Sequence, residues 1–265
     1  MLQRRLVHLR IRFDIFRHKK KISAKSVNED SKLVVIYRIS DAGYIKVKPS
    51  YINNENCLKN AVRQFPLDKC DWLVIADNVS EPTFEMILKY VPEQYIRRVS
   101  VGHGAGTFRL AYEHALTYKS DDYIYFLEND YLHTDNSREA LLEGFRLDEA
   151  DYITLYDHPD KYGYNTENPF VHGGEKSKVF LTETTHWKIT GSTTMTFAAK
   201  VKTLQQDKAV FWRWTATSHP YDFKIFHELK TFRKRLLISP IPSYSTHGET
   251  NFLAPHIDWS IIGNM

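Results

Sequence analysis

The chain has 265 residues, of which 42% are hydrophobic and 14% aromatic, so it can bury a sizeable core and general disorder is excluded. Its length suits one large domain with small appendages. Cys57 and Cys70 are too few for a disulfide scaffold, which favours a reducing, cytoplasmic compartment. The sequence contains no apolar run of about 18 residues, so no transmembrane helix is expected. Charges interrupt the N-terminal segment too often for a secretory signal.

The net charge of +4 is an average of two unlike parts of the chain. Residues 1–25 hold nine basic residues and one acid, which sum to +8. The rest of the chain then carries 27 basic and 31 acidic side chains, or −4. A mildly acidic body weakens the case for a nucleic-acid-binding protein, which an average pI near 8.8 would otherwise suggest.

Residues 1–25, here called the basic leader, carry an apolar stripe at helical spacing, formed by Leu2, Leu6, Leu9, Phe13 and Phe16. A basic amphipathic helix is typical of an element that lies on an anionic membrane surface or docks on a partner. Packing against the body of the chain, or against a second subunit of a homo-oligomer, is the alternative. We expect residues 1–31 to be this leader with a polar linker, and residues 32–265 to be the body.

Strands and helices alternate in the first half of the body. Apolar, β-branched runs predict the strands, and apolar residues at helical spacing predict the helices between them. The predicted strands are 33–39, 72–76, 96–101, 123–127 and 152–156, and the predicted helices are 53–65, one capped by Ser80, 106–118 and 137–147. This order predicts an α/β fold in which helices flank both faces of a mostly parallel sheet. In such sheets ligands bind beyond the carboxyl ends of the strands.

The second half of the body is less regular. Residues 157–185 are rich in Gly, Asn, Pro, His and Tyr and are predicted to be a long functional loop. An extended segment is predicted at 186–199, a helix at 220–236 and an irregular tail at 237–265.

The sharpest candidate site is Glu128-Asn129-Asp130, which directly follows the apolar strand at 123–127. Two acids separated by one residue, at the lip of a parallel sheet, suit a divalent ion such as Mg²⁺ or Mn²⁺ that also holds phosphate oxygens. A turn whose acids cap the next helix is the alternative.

Polar residues at the ends of two other strands suit a nucleotide. Asp77, followed by Asn78-Val79-Ser80, can accept hydrogen bonds from a ribose hydroxyl or a base N–H, or can form an Asx turn before the Ser80 cap. Tyr37, Arg38 and Ser40 end the first strand, where an aromatic ring and a cation can contact a base and a phosphate. An ordinary exposed loop is the alternative there. Gly104 lies in a glycine-rich turn before a helix, where the backbone can approach phosphate or sugar closely.

Two further candidates lie near the C-terminus. Asp222 is at the start of the helix at 220–236, where a carboxylate can act as general base for a hydroxyl nucleophile or can simply cap the helix. His247 lies in the irregular tail and can complete a metal site, or can be an ordinary surface residue.

In their order along the chain, these motifs resemble those of GT-A glycosyltransferases, most closely the family-2 type, over roughly residues 32–250. Asp77-Asn78-Val79-Ser80 is similar to the segment that binds the donor base or ribose. Glu128-Asn129-Asp130 lies where that family has a D-x-D motif whose last acid holds the metal. The sequence departs from the motif by having Glu first. Asp222 and His247 are similar to the catalytic base and the C-terminal metal ligand.

The resemblance implies transfer of a sugar from a nucleoside diphosphate donor to a glycan or glycolipid acceptor, with Mn²⁺ or Mg²⁺ as cofactor and inversion at the anomeric carbon. Residues 32–130 would bind the nucleotide through Tyr37, Arg38, Ser40, Asp77, Gly104, Glu128 and Asn129. Residues 131–265 would bind the acceptor, with His186, Trp187, Gly191 and Ser192 on the acceptor side. Asp130 and His247 would hold the metal.

Two other functions remain open from the sequence. A sugar-phosphate nucleotidyltransferase uses the same type of sheet, but it wants a glycine-rich basic loop after the first strand, and residues 38–48 contain only Gly43. A non-catalytic module that binds carbohydrate or a membrane surface could keep a degenerate GT-A fold.

Overall fold

The computed structural model describes residues 31–42, 46–163 and 171–265. The basic leader and Gly43 lie outside the described residues. The first half of the body has the predicted alternation of strands and helices, which is confirmed. Its elements are β1 (Leu33–Ser40), α1 (Asn54–Gln64), β2 (Asp71–Asp77), α2 (Glu81–Leu88), β3 (Ile96–Val99), α3 (Gly104–Ala115) and β4 (Tyr123–Glu128).

The second half contains more regular structure than its sequence predicts. Its elements are β5 (Tyr131–His133), α4 (Ser137–Gly144), β6 (Tyr152–Ile153), β7 (Val179–Leu181), β8 (His186–Thr190), β9 (Phe197–Lys200), α5 (Val201–Trp214), α6 (Asp222–Phe232), β10 (Leu237–Ile241), β11 (Ser245–His247) and α7 (Trp259–Gly263). The predicted strand at 152–156 is shorter, because only its first two residues pair within the main sheet.

Within the described residues, one sheet of nine strands runs in the order β3-β2-β1-β4-β9-β6-β10-β8-β7. β1 pairs in parallel with β2 and β4, and β2 pairs in parallel with β3. β9 is antiparallel to both β4 and β6, and β8 is antiparallel to both β10 and β7, while β6 and β10 are parallel. Within this sheet, all strands except β8 and β9 therefore run in one direction, and the predicted mostly parallel sheet is confirmed.

Helices cover both faces of this sheet, which is why its central strands are continuously apolar. Seven of the eight residues of β1 are buried. One hydrophobic layer joins the sheet to α1, α2, α4 and α7, and the other joins it to α3, α5 and α6. A strand buried on both faces has no room for alternating polar residues, so the polar side chains of β1, β2 and β4 are concentrated where those strands end.

Helix α5 was not anticipated by the sequence pattern, and Asp207 explains why. The apolar residues of α5 have helical spacing, but Asp207 occupies a core position and is fully buried. Its carboxylate accepts hydrogen bonds from the Tyr152 hydroxyl at 2.8 Å and from the side chains of Arg233 and Arg235 at 3.0 and 2.7 Å. An ionic contact thus replaces an apolar one inside the helix–sheet layer, and it attaches the end of α6 to α5.

The prediction of an irregular tail at 237–265 is also corrected, because this segment contributes β10, β11 and α7. Pro240 makes β10 hard to recognise, because proline cannot donate a ladder hydrogen bond. The strand tolerates it because the pairing of β10 with β6 ends at Ile238, so that beyond this point only β8 pairs with β10. No helix among the described residues is long and apolar enough to cross a membrane.

Candidate nucleotide and cation site

The candidate site lies at the carboxyl ends of β1, β2 and β4. The parallel register places Arg38 beside Glu128 and Ser40 beside Asp77, so the polar residues that follow each strand share one edge of the sheet. Asp130 lies in the turn between β4 and β5, immediately before β5. The structure therefore brings together, at one edge, the segments that the sequence analysis assigned to a nucleotide and a cation.

Asp130 is the buried carboxylate of this edge, with 5% of its surface exposed. Its Oδ2 lies 2.9 Å from Lys46 Nζ, 3.3 Å from Lys48 Nζ and 3.4 Å from His247 Nε2. Burial alone would raise the pKa of the Asp130 carboxyl, but its contacts with His247, Lys46 and Lys48 outweigh burial and hold the pKa well below its usual range. Asp130 is therefore a carboxylate that is fully ionised and surrounded by cations.

A small two-stranded ribbon brings His247 to Asp130. β11 pairs with β5 in antiparallel register, with His247 opposite Tyr131, the residue after Asp130. Gly248 permits this approach. A Cβ at Gly248 would lie 2.8 Å from the carbonyl oxygen of Asp130 and 2.4 Å from Cγ2 of Ile52. The ribbon thus requires a residue without a side chain directly after His247.

Lys46 occupies the space between the two predicted metal ligands. Its Nζ is 3.0 Å from His247 Nε2 as well as 2.9 Å from Asp130 Oδ2. Nε2 of His247 therefore lies within reach of both the Lys46 ammonium and the Asp130 carboxylate, and the three side chains form one polar cluster. Among the described residues, no group of three or more His, Cys, Asp and Glu side chains could hold a metal ion.

A divalent ion does not fit this arrangement of side chains. An ion bound by Asp130 and His247 would have to share their space with Lys46. At about 4 Å and an effective dielectric constant of about 20, a double and a single positive charge repel by about 8 kcal/mol, twice the value for two unit charges. The assignment of Asp130 and His247 as metal ligands stays a prediction, and the structure shows them as ligands of an ammonium group.

Glu128, the first acid of the motif, is held by Arg38. Arg38 Nη2 lies 3.0 Å from Glu128 Oε1, while Nη1 donates to the carbonyl of Gly104 at 3.2 Å. The guanidinium also lies over the ring of Phe108, 5.4 Å from its centroid, and the Arg38 residue is only 5% exposed. Arg38 therefore neutralises Glu128 and ties β1 to the start of α3, which differs from the expectation that it contacts a phosphate directly.

Tyr37 does not reach the edge of the sheet. Its side chain is fully buried on the α1–α2 face, with its ring centroid 6.3 Å from that of Trp72. This burial corrects the expectation that Tyr37 contacts a nucleotide base. The physical reason is the strand period of two: the neighbouring Arg38 faces the α3 side, so Tyr37 faces the other layer.

Asp77 organises the loop between β3 and α3. One carboxylate oxygen accepts from the Val101 backbone N–H at 2.6 Å, and the other accepts from the Gly102 N–H at 2.9 Å. Gly102 has a φ of +80°, which glycine adopts without strain. Asp77 thus shapes the turn before α3, and its assignment to a base or ribose stays a prediction.

Ser40, Asn129 and Gly104 lie around these acids. The Asn129 amide donates to the Asn54 side chain at 2.6 Å and to the Ser40 carbonyl at 3.4 Å, so it links the ends of β4 and β1 to α1. Gly104 begins α3, and a Cβ there would meet only Pro220, at 3.9 Å. The loop that precedes α6 therefore limits how closely a ligand can approach the backbone of Gly104.

Asp222 begins α6 and lies near Glu128, at the same edge of the sheet. The loop before it contacts α3, since the Ala105 N–H donates to the Ser218 carbonyl at 3.2 Å. The partly exposed Asp222 carboxylate accepts from the Phe223 N–H at 2.6 Å. Burial raises the pKa of Asp222, and the negative charge of Glu128 raises it further, while the Phe223 hydrogen bond and the charges of His219 and His158 partly offset this. Asp222 is therefore close enough to sense Glu128.

The predicted acceptor residues do not form one surface. His186 is exposed at the start of β8, but Trp187 is fully buried and its indole N–H donates to Thr182 at 3.0 Å. The expectation that Trp187 contacts an acceptor is corrected by this core position.

Gly191 and Ser192 secure the described parts of the long loop. The Gly191 N–H donates to Glu175 at 2.6 Å, and the Ser192 hydroxyl accepts from Lys161 at 2.8 Å. Lys188 pairs with Asp157 at 2.8 Å close by, and both residues are at most 4% exposed. This ionic cluster holds residues 157–161 and 175 against β8, so the two predicted acceptor residues act here as contacts of the loop.

A separate cavity lies at the other end of these strands. It measures about 360 Å³ and lies at the amino ends of β1 and β2, between Lys32, Cys70 and Arg138. This cavity lies at the opposite edge of the sheet from Asp130, and none of the predicted site residues lines it. We therefore locate the candidate site by its converging polar groups and not by this cavity.

Sequence reasoning missed Lys46 and Lys48. They flank Val47, and both of their ammonium groups reach the same Asp130 oxygen, while Val47 between them is 76% exposed. Pro49 follows Lys48, and a residue before proline favours extended backbone. The Lys-x-Lys-Pro pattern was therefore a usable signal for two cations on one side of the chain, but not for their partner Asp130, which is more than 80 residues away.

Comparison with known proteins defines the fold. No protein-family model matches the sequence, and no curated protein matches it. Among solved structures, GalNAc-T7 with UDP, GalNAc and Mn²⁺ is similar with a TM-score of 0.54 and 12% identity, over 82% of this chain and 43% of that one. The fold is GT-A-like, and at this identity the likeness shows the fold alone.

Two other solved structures are similar at lower scores. S. aureus TarS 1–349 has a TM-score of 0.49 and 13% identity, over 78% of this chain and 57% of that one. The Francisella tularensis 2-C-methyl-D-erythritol 4-phosphate cytidylyltransferase has a TM-score of 0.45 and 11% identity, over 87% and 97% of the two chains. This chain thus spans about half the length of the TarS and GalNAc-T7 chains that it matches.

The approach of His247 to Asp130 gives a first prediction. Gly248→Ala should destabilise the protein by about 1–3 kcal/mol, because the added methyl group meets a backbone oxygen that cannot move without opening the β5–β11 ribbon. Urea unfolding followed by circular dichroism measures the loss. Gly104→Ala is the matched control, since its Cβ meets nothing closer than 3.9 Å. Equal stabilities of the two variants would contradict the packing argument.

Proposed function

We propose that this protein is a glycosyltransferase that moves a sugar from a nucleoside diphosphate donor to a glycan or glycolipid acceptor, with inversion at the anomeric carbon. The observation that carries the proposal is the edge of the sheet at β1, β2 and β4, where cations gather around Asp130 and a second carboxylate, Asp222, lies close enough to Glu128 to sense its charge. The GT-A-like fold supports it, and so does the similar GalNAc-T7 structure with UDP, GalNAc and Mn²⁺.

The chemistry needs two features that this edge offers. When the bond between the anomeric carbon and the phosphate oxygen breaks, the electron pair stays on the diphosphate, and positive charge beside Asp130 would stabilise it. The acceptor oxygen forms the new bond to the anomeric carbon from the other side, and its proton passes to Asp222 as general base. Arg38 keeps Glu128 paired, and Asp77 fixes the turn before α3. The division into nucleotide-binding residues 32–130 and acceptor-binding residues 131–265 is part of this proposal.

Nucleotide binding tests the proposal. A thermal-shift panel of UDP, GDP, TDP and CMP, each with Mn²⁺ and with EDTA, should show one nucleotide that raises the melting temperature of the protein. Asp130→Asn should abolish that rise, because the carboxylate positions the cations of the site. Stabilisation by none of the four nucleotides, in either buffer, would refute the transferase assignment.

The role of Asp222 gives a separate prediction. Asp222→Asn should keep the nucleotide-induced thermal shift but lower the rate of diphosphate release by about 10²–10⁴-fold, as removal of a general base does. Burial and Glu128 raise the Asp222 pKa above the ordinary 3.8, and the base must be ionised, so the rate should fall as the pH drops through this raised pKa. The acid limb of the pH–rate profile should therefore lie at higher pH than that of a free carboxylate.

Asp68→Asn, at an exposed position, is the matched control for Asp222→Asn and should leave both the rate and the profile unchanged. If Asp222→Asn retains the full rate and the same acid limb, the base is another residue.

The basic leader supports a location for this activity. With nine basic residues on an amphipathic pattern, residues 1–25 would hold the enzyme at an anionic cytoplasmic membrane face, where a lipid-linked acceptor would be reached. Deletion of residues 1–25 should abolish co-sedimentation with phosphatidylserine-containing liposomes and leave nucleotide binding intact. Unchanged co-sedimentation of the deletion variant would instead favour a packing or subunit-contact role for the leader.

A further inference from the structure

The positions of Lys46 and Lys48 are held by hydrogen bonds to the residue between them. The carbonyl of Val47, between them, accepts hydrogen bonds from both the backbone N–H and the hydroxyl of Thr250, each at 2.9 Å. Thr250 follows the β11 strand that carries His247. The same C-terminal segment therefore positions the lysines and the histidine relative to Asp130.

The Lys46 ammonium makes the contacts that a metal would make. It touches Asp130 at 2.9 Å and His247 at 3.0 Å, the two residues that the family resemblance assigns to metal binding. Lys48 adds a second ammonium, 3.3 Å from the same Asp130 oxygen. No third acidic or imidazole ligand joins them among the residues that the structure describes.

The charge balance is also that of a metal site. The two ammonium groups of Lys46 and Lys48 and the one carboxylate of Asp130 together carry a net +1. A divalent ion on the same carboxylate in place of the lysines would also give +1, whereas an ion added beside both lysines would give +3. The side chains of Lys46 and Lys48 are 16% and 31% exposed, so both are more accessible than that of Asp130, which is 7% exposed.

We propose that Lys46 and Lys48 take the place of the divalent ion and bind the diphosphate group of the donor, so that nucleotide binding needs no metal. This inference rests on the proposed function. Ammonium groups form strong charge-assisted hydrogen bonds with phosphate oxygens. Asp130 and His247 act as positioning residues that hold the Lys46 ammonium at this edge of the sheet. The two lysines then supply the positive charge that stabilises the diphosphate leaving group.

Calorimetric titration of the full chain with UDP, GDP and TDP, in EDTA and in Mn²⁺, tests this inference. The nucleotide that binds should have the same Kd in both buffers. Lys46→Met, which keeps the aliphatic stem, should weaken binding in EDTA by about tenfold or more, equivalent to about 1.4 kcal/mol. Lys46→Arg keeps the charge and should retain most of the affinity, and Lys202→Met, at an exposed position on α5, is the matched control.

A second readout separates ion replacement from simple charge attraction. Removing Lys46 opens Asp130 and His247 to a metal, so Mn²⁺ should restore nucleotide affinity to Lys46→Met while leaving that of the unaltered protein unchanged. Lys48→Met should weaken binding in EDTA without a comparable rescue, because Lys48 does not contact His247 within the described contacts. Circular dichroism of each variant checks that it is folded.

The outcomes distinguish this inference from the proposed function. A nucleotide that binds the unaltered protein only with Mn²⁺ overturns the role of the lysines and keeps the transferase assignment. Binding by Lys46→Met in EDTA as tight as that of the unaltered protein also overturns it. Absence of binding in both buffers refutes the transferase assignment, and the inference with it. The first comparison uses only the unaltered protein, so it decides the question even if a variant fails to fold.

Discussion

The burial of β1 on both faces is the constraint on which the rest of the molecule depends. A strand with seven of eight residues buried needs helices on both sides and parallel neighbours joined by helical crossovers. These crossovers leave the carboxyl ends of β1, β2 and β4 at one edge. Polar groups that the strands cannot hold are displaced to that edge, and the register then places Arg38 beside Glu128 and Ser40 beside Asp77. The location of the site is therefore a consequence of core packing.

Acids collected at one edge repel one another, and the fold offsets this by pairing each with its own donors. Glu128 has Arg38, Asp130 has two lysines, and Asp77 has backbone N–H groups. Asp222 differs, because no cation lies within salt-bridge distance of it among the described contacts, and its pKa is raised by burial and by Glu128. The one carboxylate left with a raised proton affinity is the one that suits proton transfer, while the strongly paired ones suit positioning.

The sequence predicted the first half of the fold well and the second half poorly, for identifiable reasons. Continuous apolar strands and a Ser80 cap give unambiguous local signals, and the structure contains both. Helix α5 escapes recognition because Asp207 interrupts its apolar stripe with an ionic contact to residues near 235. Strand β10 is not recognised because it contains Pro240, which the strand tolerates only because the pairing with β6 ends at Ile238. In both elements the deciding contact is distant in sequence, and local patterns do not contain it.

The site shows the same limit at the scale of single residues. Asp130 and His247 could be named from their positions in a family order, but that order says nothing about what lies between them. The pairing of β5 with β11, a glycine at 248 and the anchoring of Val47 by Thr250 together place an ammonium group there. In this chain the flanking segments determine which side chain reaches Asp130. The sheet and the last acid of the motif therefore do not by themselves specify which cation lies at this edge.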